Sequence, residues 1–124
     1  MATITNYLFS NLIVVLMLAT KGLCICDLNG VTIGTTRSGK TREGELQWDV
    51  EVINNCACPI SNLVVSCKGF ASSLKVNPAL FRQEGGDKCV VNGGNAIAPK
   101  ASIRFSYAWH SPAILIPTSL SSTC

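Results

Sequence analysis

The stretch L-Q-W-D-V-E-V, residues 46–52, alternates apolar and polar side chains without interruption. A period of two residues places alternate side chains on opposite faces of a β-strand, which is typical of a strand buried on one face. The stretch S-I-R-F-S-Y-A-W, residues 102–109, repeats this pattern with aliphatic and aromatic residues at every second position. Both stretches therefore predict strands whose apolar faces enter a core.

Shorter segments with β-type composition, separated by glycine- and asparagine-containing turns, bring the expected number of strands to about five to seven. The additional strands are expected at residues 31–37, 63–67 and 74–76. No stretch shows helical periodicity beyond a single turn at residues 79–83. The sequence therefore predicts an all-β domain, a small disulfide-stabilised β-sandwich or barrel-like fold.

Two connections can be assigned from turn-forming residues. Residues 38–45 are polar and contain two glycines, which predicts an exposed loop. The sequence Asn-Gly-Gly-Asn at residues 92–95 separates the apolar residues 89–91 from residues 96–98. An Asn-Gly pair between apolar runs is a strong hairpin signal, so we expect these two runs to pair.

The first part of the chain differs from the rest. Residues 12–19 form an unbroken apolar run at an N-terminus, followed by small residues, as in a secretory signal peptide. The run is shorter than the roughly 20 apolar residues that a membrane-spanning helix needs. We expect a signal peptide at residues 1–24, cleaved between residues 20 and 24, and a secreted cysteine-rich β domain at residues 25–124 with no membrane insertion after cleavage.

The chain contains seven cysteines. If Cys24 leaves with the leader, the remainder is an even set, which in an oxidising compartment predicts three disulfides. That set is Cys26, Cys56, Cys58, Cys67, Cys89 and Cys124. If cleavage precedes Cys24, the extra thiol could pair between chains. The spacing does not define the pairing, although Cys56 and Cys58 are too close to bond to each other without strain.

Residues suited to catalysis or metal binding are scarce. His110 is the single histidine and lies in no nucleophile motif, while the C-x-C spacing at residues 56–58 does not fit a zinc site. Asp49 and Glu51 share the outward face of one predicted strand and could form a carboxylate pair, but a solvated face is the simpler interpretation. We predict no catalytic residue, cofactor or metal, and no enzyme.

The charged residues do not indicate a nucleic-acid partner. The chain has a formal net charge of +3, and its basic residues are dispersed and never adjacent. Binding to a phosphate backbone depends on a concentrated patch of Lys and Arg side chains, which this distribution does not supply.

Longer runs around the cysteines resemble one family. The run E-V-I-N-N-C-A-C-P-I-S-N-L-V-V-S-C-K-G-F, residues 51–70, is similar to the tapetum determinant family of secreted, cysteine-rich plant proteins. The same similarity is carried by V-N-P-A-L-F-R (76–82), D-K-C-V-V-N-G-G (87–94) and F-S-Y-A-W-H-S-P (105–112). The C-x-C pair and the Y-A-W tripeptide resemble one branch of that family.

This resemblance implies an extracellular signalling ligand for a leucine-rich-repeat receptor kinase, with a role in anther or reproductive cell differentiation. It also implies that Cys26, Cys58, Cys67, Cys89 and Cys124 match the family's cysteine frame, from which Cys56 is partly displaced. Exposed basic residues in the predicted loops are the candidate receptor contacts. They are Arg37, Lys40, Arg42, Arg82 and Lys88.

The alternative is a cell-wall or carbohydrate-binding module without catalytic activity. Trp48, Tyr107 and Trp109 could form a platform on which sugar rings stack. Trp48 and Tyr107 fall on the predicted core faces, which leaves Trp109 as the candidate for exposure. A defence protein ranks third, because small disulfide-bonded defence proteins are usually more basic than this chain.

Overall fold

The computed structural model describes residues 26–124 of the chain. The predicted signal peptide at residues 1–24 lies outside the described residues, so its presence and cleavage stay predictions. The described part contains seven strands and two short 3-10 turns. They are a turn at Leu28–Gly30, β1 (Val31–Arg42), β2 (Glu45–Asn54), β3 (Ile60–Ser66), β4 (Phe81–Gln83), β5 (Lys88–Val91), a turn at Asn92–Gly94, β6 (Ser102–Ala108) and β7 (Ile116–Ser122).

The strands form two antiparallel sheets packed face to face, which confirms the all-β prediction. One sheet has the order β1-β2-β6 and the other the order β4-β5-β3-β7. Phe81 of the second sheet stacks on Phe105 of the first, with ring centroids 4.3 Å apart. Phe70 packs edge-on against Phe81 at 5.1 Å and against Tyr107 at 5.0 Å. These aromatic contacts join the two layers into one core.

The two strands with the clearest alternation lie side by side in the first sheet. Trp48, Val50 and Val52 of β2 are all buried, as their spacing predicts. In the antiparallel register, Val50 lies opposite Phe105 and Val52 lies opposite Ile103 of β6. The apolar faces of β2 and β6 therefore form a continuous surface, against which the second sheet packs.

At one end of the sandwich, β2 finishes at Asn54 and β3 begins at Ile60, opposite Ser122 of β7. We call this the cysteine end, because four of the six cysteines in residues 26–124 lie there. They are Cys26, Cys56, Cys58 and Cys124. A disulfide joins Cys58 to Cys124 across 66 residues of sequence, so Cys58 does not bond to its neighbour Cys56.

At the other end, β6 finishes at Ala108 and β3 finishes at Ser66, opposite Ile116 of β7. We call this the groove end, after the surface described below. A second disulfide, between Cys67 and Cys89, joins the end of β3 to β5 there. Each end of the sandwich therefore has one disulfide, and both disulfides join strands of the second sheet or the residues next to them.

Residues 39–44 are exposed, as predicted, but the prediction of a loop over residues 38–45 is wrong. β1 continues to Arg42, and only Glu43 and Gly44 form the turn, with φ angles of 53° and 81°. The register shifts between Arg37 and Thr41, so the intervening residues bulge out of the pairing with β2. Polar residues can extend a hairpin in this way because main-chain hydrogen bonds, not side-chain burial, hold its tip.

The hairpin predicted around residues 92–95 is also wrong. After β5 the chain makes a 3-10 turn in which Gly93 has a φ of 62°. It then crosses to the start of β3, where the N–H of Ile97 donates to the carbonyl of Ile60 at 2.6 Å and the N–H of Ile60 donates back at 3.1 Å. Ile97 is only 2% exposed. Burial of this side chain against a distant strand therefore prevails over the local turn signal.

The short strand predicted at residues 74–76 is absent. The single turn predicted at residues 79–83 is present only at residues 78–80, where the N–H of Leu80 donates to the carbonyl of Asn77 at 2.9 Å, and Phe81–Gln83 form strand β4. The preceding residues instead meet the end of β6. The N–H of Ser73 donates to the carbonyl of Ala108 at 2.9 Å, and the hydroxyl of Ser72 accepts from the N–H of Ala108 at 3.0 Å. These bonds satisfy main-chain groups at the edge of the first sheet.

The fully buried Asn54 ties three parts of the cysteine end together. Its side-chain amide donates to the carbonyls of Cys58 and Ile97, both at 3.0 Å, and to that of Ala98 at 3.2 Å. Its side-chain oxygen accepts from the N–H of Cys56 at 2.9 Å. A buried polar side chain with all of these bonds made fixes the path of the chain from β2 into β3.

We expect Asn54→Ala to lower the free energy of unfolding by about 2 kcal/mol. The carbonyls of Ile97 and Ala98 keep other main-chain donors, but the N–H of Cys56 loses its acceptor inside the protein. Denaturant unfolding measures the loss, and Asn55→Ala, at the exposed neighbouring residue, is the control. A loss no larger than that of Asn55→Ala contradicts the prediction.

Candidate functional site

An open groove of about 420 Å³ lies at the groove end, between the end of β6 and the start of β7. Its walls come from both sheets and from the segment of residues 109–115 that connects them. The side chains that define it are Ser66, Lys68, Tyr107, Trp109, Ile114 and Ile116. It is an apolar surface with a lysine at its margin.

The groove carries most of the exposed large apolar surface of the described residues. Ile114 is 75% exposed and Ile116 is 54% exposed. The other large hydrophobic side chain exposed in residues 26–124 is Leu28, at 38%, which lies near the cysteine end. Neighbouring exposed apolar side chains on a small soluble domain commonly mark an interaction surface.

Hydrogen bonds from the core hold the connecting segment in place. The hydroxyl of the fully buried Tyr107 accepts from the N–H of Ala113 at 2.6 Å. The indole N–H of Trp48 donates to the carbonyl of Trp109 at 3.0 Å, and the N–H of Trp109 donates to the carbonyl of Leu46 at 2.9 Å. Burial raises the pKa of Tyr107, with the bond from Ala113 opposing it. The phenol therefore remains neutral and its bond persists across physiological pH.

Four of the five candidate basic contacts belong to elements that reach the groove end. Arg37, Lys40 and Arg42 are carried by the β1–β2 hairpin. This hairpin adjoins the groove because β2 begins beside Trp109, as the bond to Leu46 shows. Lys88 lies opposite Ser66, which lines the groove. The structure thus brings together residues that are far apart in sequence.

Within the β1–β2 hairpin, the guanidinium of Arg42 donates to the side-chain oxygen of Gln47 at 3.2 Å. The fifth candidate, Arg82, is likewise engaged within its own hairpin. It lies on β4 opposite Val90, and its guanidinium forms an ion pair with Glu84 at 2.7 Å. Both side chains are substantially exposed, so the pair contributes little to stability. Receptor contact by any of the five basic residues stays a prediction.

Of the three aromatic side chains proposed as a stacking platform, only Trp109 is accessible to a ligand. Trp48 is 9% exposed and Tyr107 is 0% exposed, so both belong to the core. Trp109 is half-buried, lines the groove and has the ring of His110 beside it, with centroids 5.0 Å apart. A stacking surface for sugars would therefore rest on Trp109 alone.

The carboxylates of β2 interact with neighbouring strands on the outer face of the first sheet. Glu51 accepts from the guanidinium of Arg104 at 2.8 Å, and hydrogen bonds with Arg104 and Ser102 lower the pKa of Glu51. Asp49 accepts from the hydroxyl of Ser106 at 2.7 Å. A carboxyl group with a lowered pKa is ionised at neutral pH and cannot serve as a general acid there. These contacts fit the interpretation of a solvated face.

Sequence reasoning missed Ile114 and Ile116. They lie in the run P-A-I-L-I-P, residues 112–117, which is apolar but belongs to no predicted strand. An apolar run between two prolines and outside any periodic segment was the available signal. Exposure of these side chains depends on how the segment crosses from one sheet to the other, which the run itself does not encode.

In residues 26–124 no helix combines the length and the apolar character needed to cross a bilayer.

The described residues form a small β-sandwich of two antiparallel sheets, cross-linked by two disulfides. The family model described as "Tapetum determinant 1, C-terminal" matches residues 27–124. The match covers nearly all of the described residues, and the chain belongs to the tapetum determinant family. This confirms the resemblance carried by the cysteine-containing runs.

Individual relatives are similar over the same region. The chain is 33% identical over 85 residues to TPD1 protein homolog 1 of Arabidopsis thaliana, covering 67% of this chain and 48% of that protein. It is 31% identical over 84 residues to TPD1 protein homolog 1B of Oryza sativa subsp. japonica, covering 67% and 50%. An uncharacterized protein of Arabidopsis thaliana is 40% identical over 88 residues, covering 68% of each chain.

The matched region spans about half the length of the two TPD1 homologues. No solved structure matches the chain.

Proposed function

We propose that the protein is a secreted signalling ligand whose groove end binds the ectodomain of a leucine-rich-repeat receptor kinase, and that it acts in anther or reproductive cell differentiation. The observation that carries this proposal is the exposed apolar surface of Ile114 and Ile116 beside Trp109. Membership of the tapetum determinant family supports the same class of function.

The groove end has the composition of a protein-binding surface. Specific interfaces combine an apolar centre, which supplies most of the affinity, with a polar and charged rim. Here Ile114, Ile116 and Trp109 supply the centre. The neighbouring hairpin and the ends of β3 and β5 supply basic side chains for the rim, among them Lys40, Lys68 and Lys88. In this proposal the basic side chains of the rim orient the partner, and the apolar side chains of the centre supply most of the affinity.

The groove is also well suited to binding because its walls are held before a partner arrives. The Tyr107–Ala113 and Trp48–Trp109 hydrogen bonds fix the connecting segment. The Cys67–Cys89 disulfide fixes the adjacent end of the second sheet. A preorganised surface loses less conformational entropy on association than a flexible one.

The experiment is a binding measurement with purified receptor ectodomains and the secreted protein. We expect Ile114→Asp to weaken binding at least about tenfold, because a charge replaces a central apolar contact, a loss of about 1.4 kcal/mol or more. Leu28→Asp is the matched control, since it places the same charge on an exposed hydrophobic near the opposite end. Reduction of the disulfides should abolish binding.

Two outcomes contradict the proposal. If Leu28→Asp weakens binding and Ile114→Asp does not, the partner binds near the cysteine end and not at the groove end. If no leucine-rich-repeat ectodomain binds the oxidised protein, the partner class itself is wrong.

The proposal assigns the protein no catalytic role and no cofactor. The alternative, a carbohydrate-binding wall protein, depends on Trp109 as its one stacking ring. A polysaccharide pull-down with Trp109→Ala tests that alternative, and retention that is lost in this variant would favour it over receptor binding.

A further inference from the structure

The cysteine end contains Cys26 and Cys56 in addition to the two cysteines that form its disulfide, Cys58 and Cys124. The sulfur of Cys26 lies 3.8 Å from that of Cys124, and the sulfurs of Cys26, Cys58 and Cys124 all lie within 4.8 Å of one another. The side chain of Cys26 also hydrogen bonds with that of Cys56. Four cysteine side chains are therefore gathered at one corner of the sandwich, and the disulfide uses two of them.

Main-chain contacts direct Cys56 toward the first described residues of the chain. β1 and β2 pair with Val31 opposite Asn54, and the N–H of Asn55 donates to the carbonyl of Gly30 at 2.8 Å. The sulfur of Cys56 lies so close to Gly30 that a Cβ atom on that residue would overlap it. The absence of a side chain at Gly30 thus leaves room for the Cys56 sulfur beside the turn that follows Cys26.

Both side chains are shielded from solvent, with exposures of 8% for Cys26 and 0% for Cys56. Burial raises the pKa of the Cys26 thiol, but hydrogen bonds with Cys56 and Cys58 outweigh it and the net pKa is lowered. A lowered pKa increases the fraction of thiolate, which is the species that attacks a disulfide.

Among the pairings that use all four cysteines, one agrees with the structure. A Cys26–Cys124 bond would leave Cys58 only Cys56 as a partner, and residues this close in sequence cannot bond without strain. A Cys26–Cys58 bond would require breaking the observed Cys58–Cys124 bond. A bond between Cys26 and Cys56 keeps the observed disulfide and needs no rearrangement of it.

We propose that Cys26 and Cys56 form a third disulfide in the mature protein. The two thiols give up two protons and two electrons as the sulfur–sulfur bond forms. The oxidant is the disulfide of a thiol oxidoreductase of the secretory route, which takes up both and is released as a dithiol. The new bond ties the residues before β1 to the connection between β2 and β3. Together with Cys58–Cys124 it fixes both ends of the described chain at the corner opposite the groove.

The test is disulfide mapping of the secreted product, with thiols alkylated when the medium is collected. Trypsin releases residues 43–68, which contain Cys56, Cys58 and Cys67, separately from the peptide that contains Cys26. We expect no alkylation of Cys26 or Cys56 and a covalent link between these two peptides. Alkylation of both cysteines in denatured wild-type protein overturns the proposal.

A variant identifies which cysteine carries the link. In Cys58→Ala/Cys124→Ala the observed disulfide is gone, and the peptide containing Cys26 should still be linked to residues 43–68 through Cys56. Loss of the link in this variant, with the Cys67–Cys89 bond intact, shows that Cys26 pairs elsewhere and contradicts the proposal. Recovery of wild-type protein with a zinc ion bound to the four thiols of the cysteine end, all of which can be alkylated once the metal is removed, also contradicts the proposal. Neither result bears on receptor binding by the groove end.

Discussion

The double variant Cys58→Ala/Cys124→Ala is expected to lower the free energy of unfolding by about 4 kcal/mol. The two cysteines are 66 residues apart in sequence, and their bond joins the start of β3 to the end of β7. A cross-link across a long loop stabilises chiefly by restricting the unfolded chain, and the effect grows slowly with loop length. Both residues are replaced because a single thiol left at Cys124 would lie 3.8 Å from the Cys26 sulfur and could pair with it.

Denaturant unfolding of the oxidised proteins measures this loss. The matched control is Cys67→Ala/Cys89→Ala, which opens a bond across 22 residues and should lose about 3 kcal/mol. In a domain of this size the larger loss corresponds to a fall in melting temperature of very roughly 15–30 °C. A loss below about 1 kcal/mol in the first variant would contradict the assignment of Cys58–Cys124 as a structural cross-link.

Phe81→Ala is expected to cost about 4 kcal/mol, through lost burial and the cavity that remains. Phe81 is 1% exposed and stacks on Phe105 with ring centroids 4.3 Å apart. It also packs edge-on against Phe70 at 5.1 Å. Phe81 belongs to the three-residue strand β4 at the edge of its sheet, and this side chain is its main contact with the opposite layer.

The comparison that isolates the packing effect is Phe81→Leu, which retains much of the volume and should cost about 1–2 kcal/mol. Urea unfolding followed by tryptophan fluorescence suits both variants, because Trp48 is buried in the same core. Equal losses for the two substitutions would mean that the aromatic contacts between the sheets do not carry the stability assigned to them.

The half-buried strands β2 and β6 could be predicted because their period-two pattern reports directly on burial. The connection after β5 could not, since the Asn-Gly signal is local, whereas the path of residues 92–97 is decided by burial of Ile97 against β3. Strand β7 gave no periodic signal either. Its sequence I-P-T-S-L-S-S is mostly small and polar, and it becomes a strand through pairing with β3.

The candidate site was only partly predictable for a related reason. Basic residues such as Lys40 and Lys88 are expected at the surface whatever the fold, so their exposure could be anticipated. Ile114 and Ile116 would ordinarily be assigned to a core, and only the three-dimensional path leaves them exposed. The Cys58–Cys124 bond could not be predicted either, because it depends on the pairing of β3 with β7, which no sequence pattern indicates.

Intact-mass analysis of the protein recovered from the medium of expressing plant cells, after labelling with a thiol reagent, tests most directly whether this is an exported and cross-linked ligand. We predict an extracellular product that lacks the leader and begins between residues 21 and 25. Its Cys58, Cys67, Cys89 and Cys124 should resist the label until a reductant is added. Recovery of the full-length chain inside the cell, with the leader attached and these four thiols labelled, would contradict it.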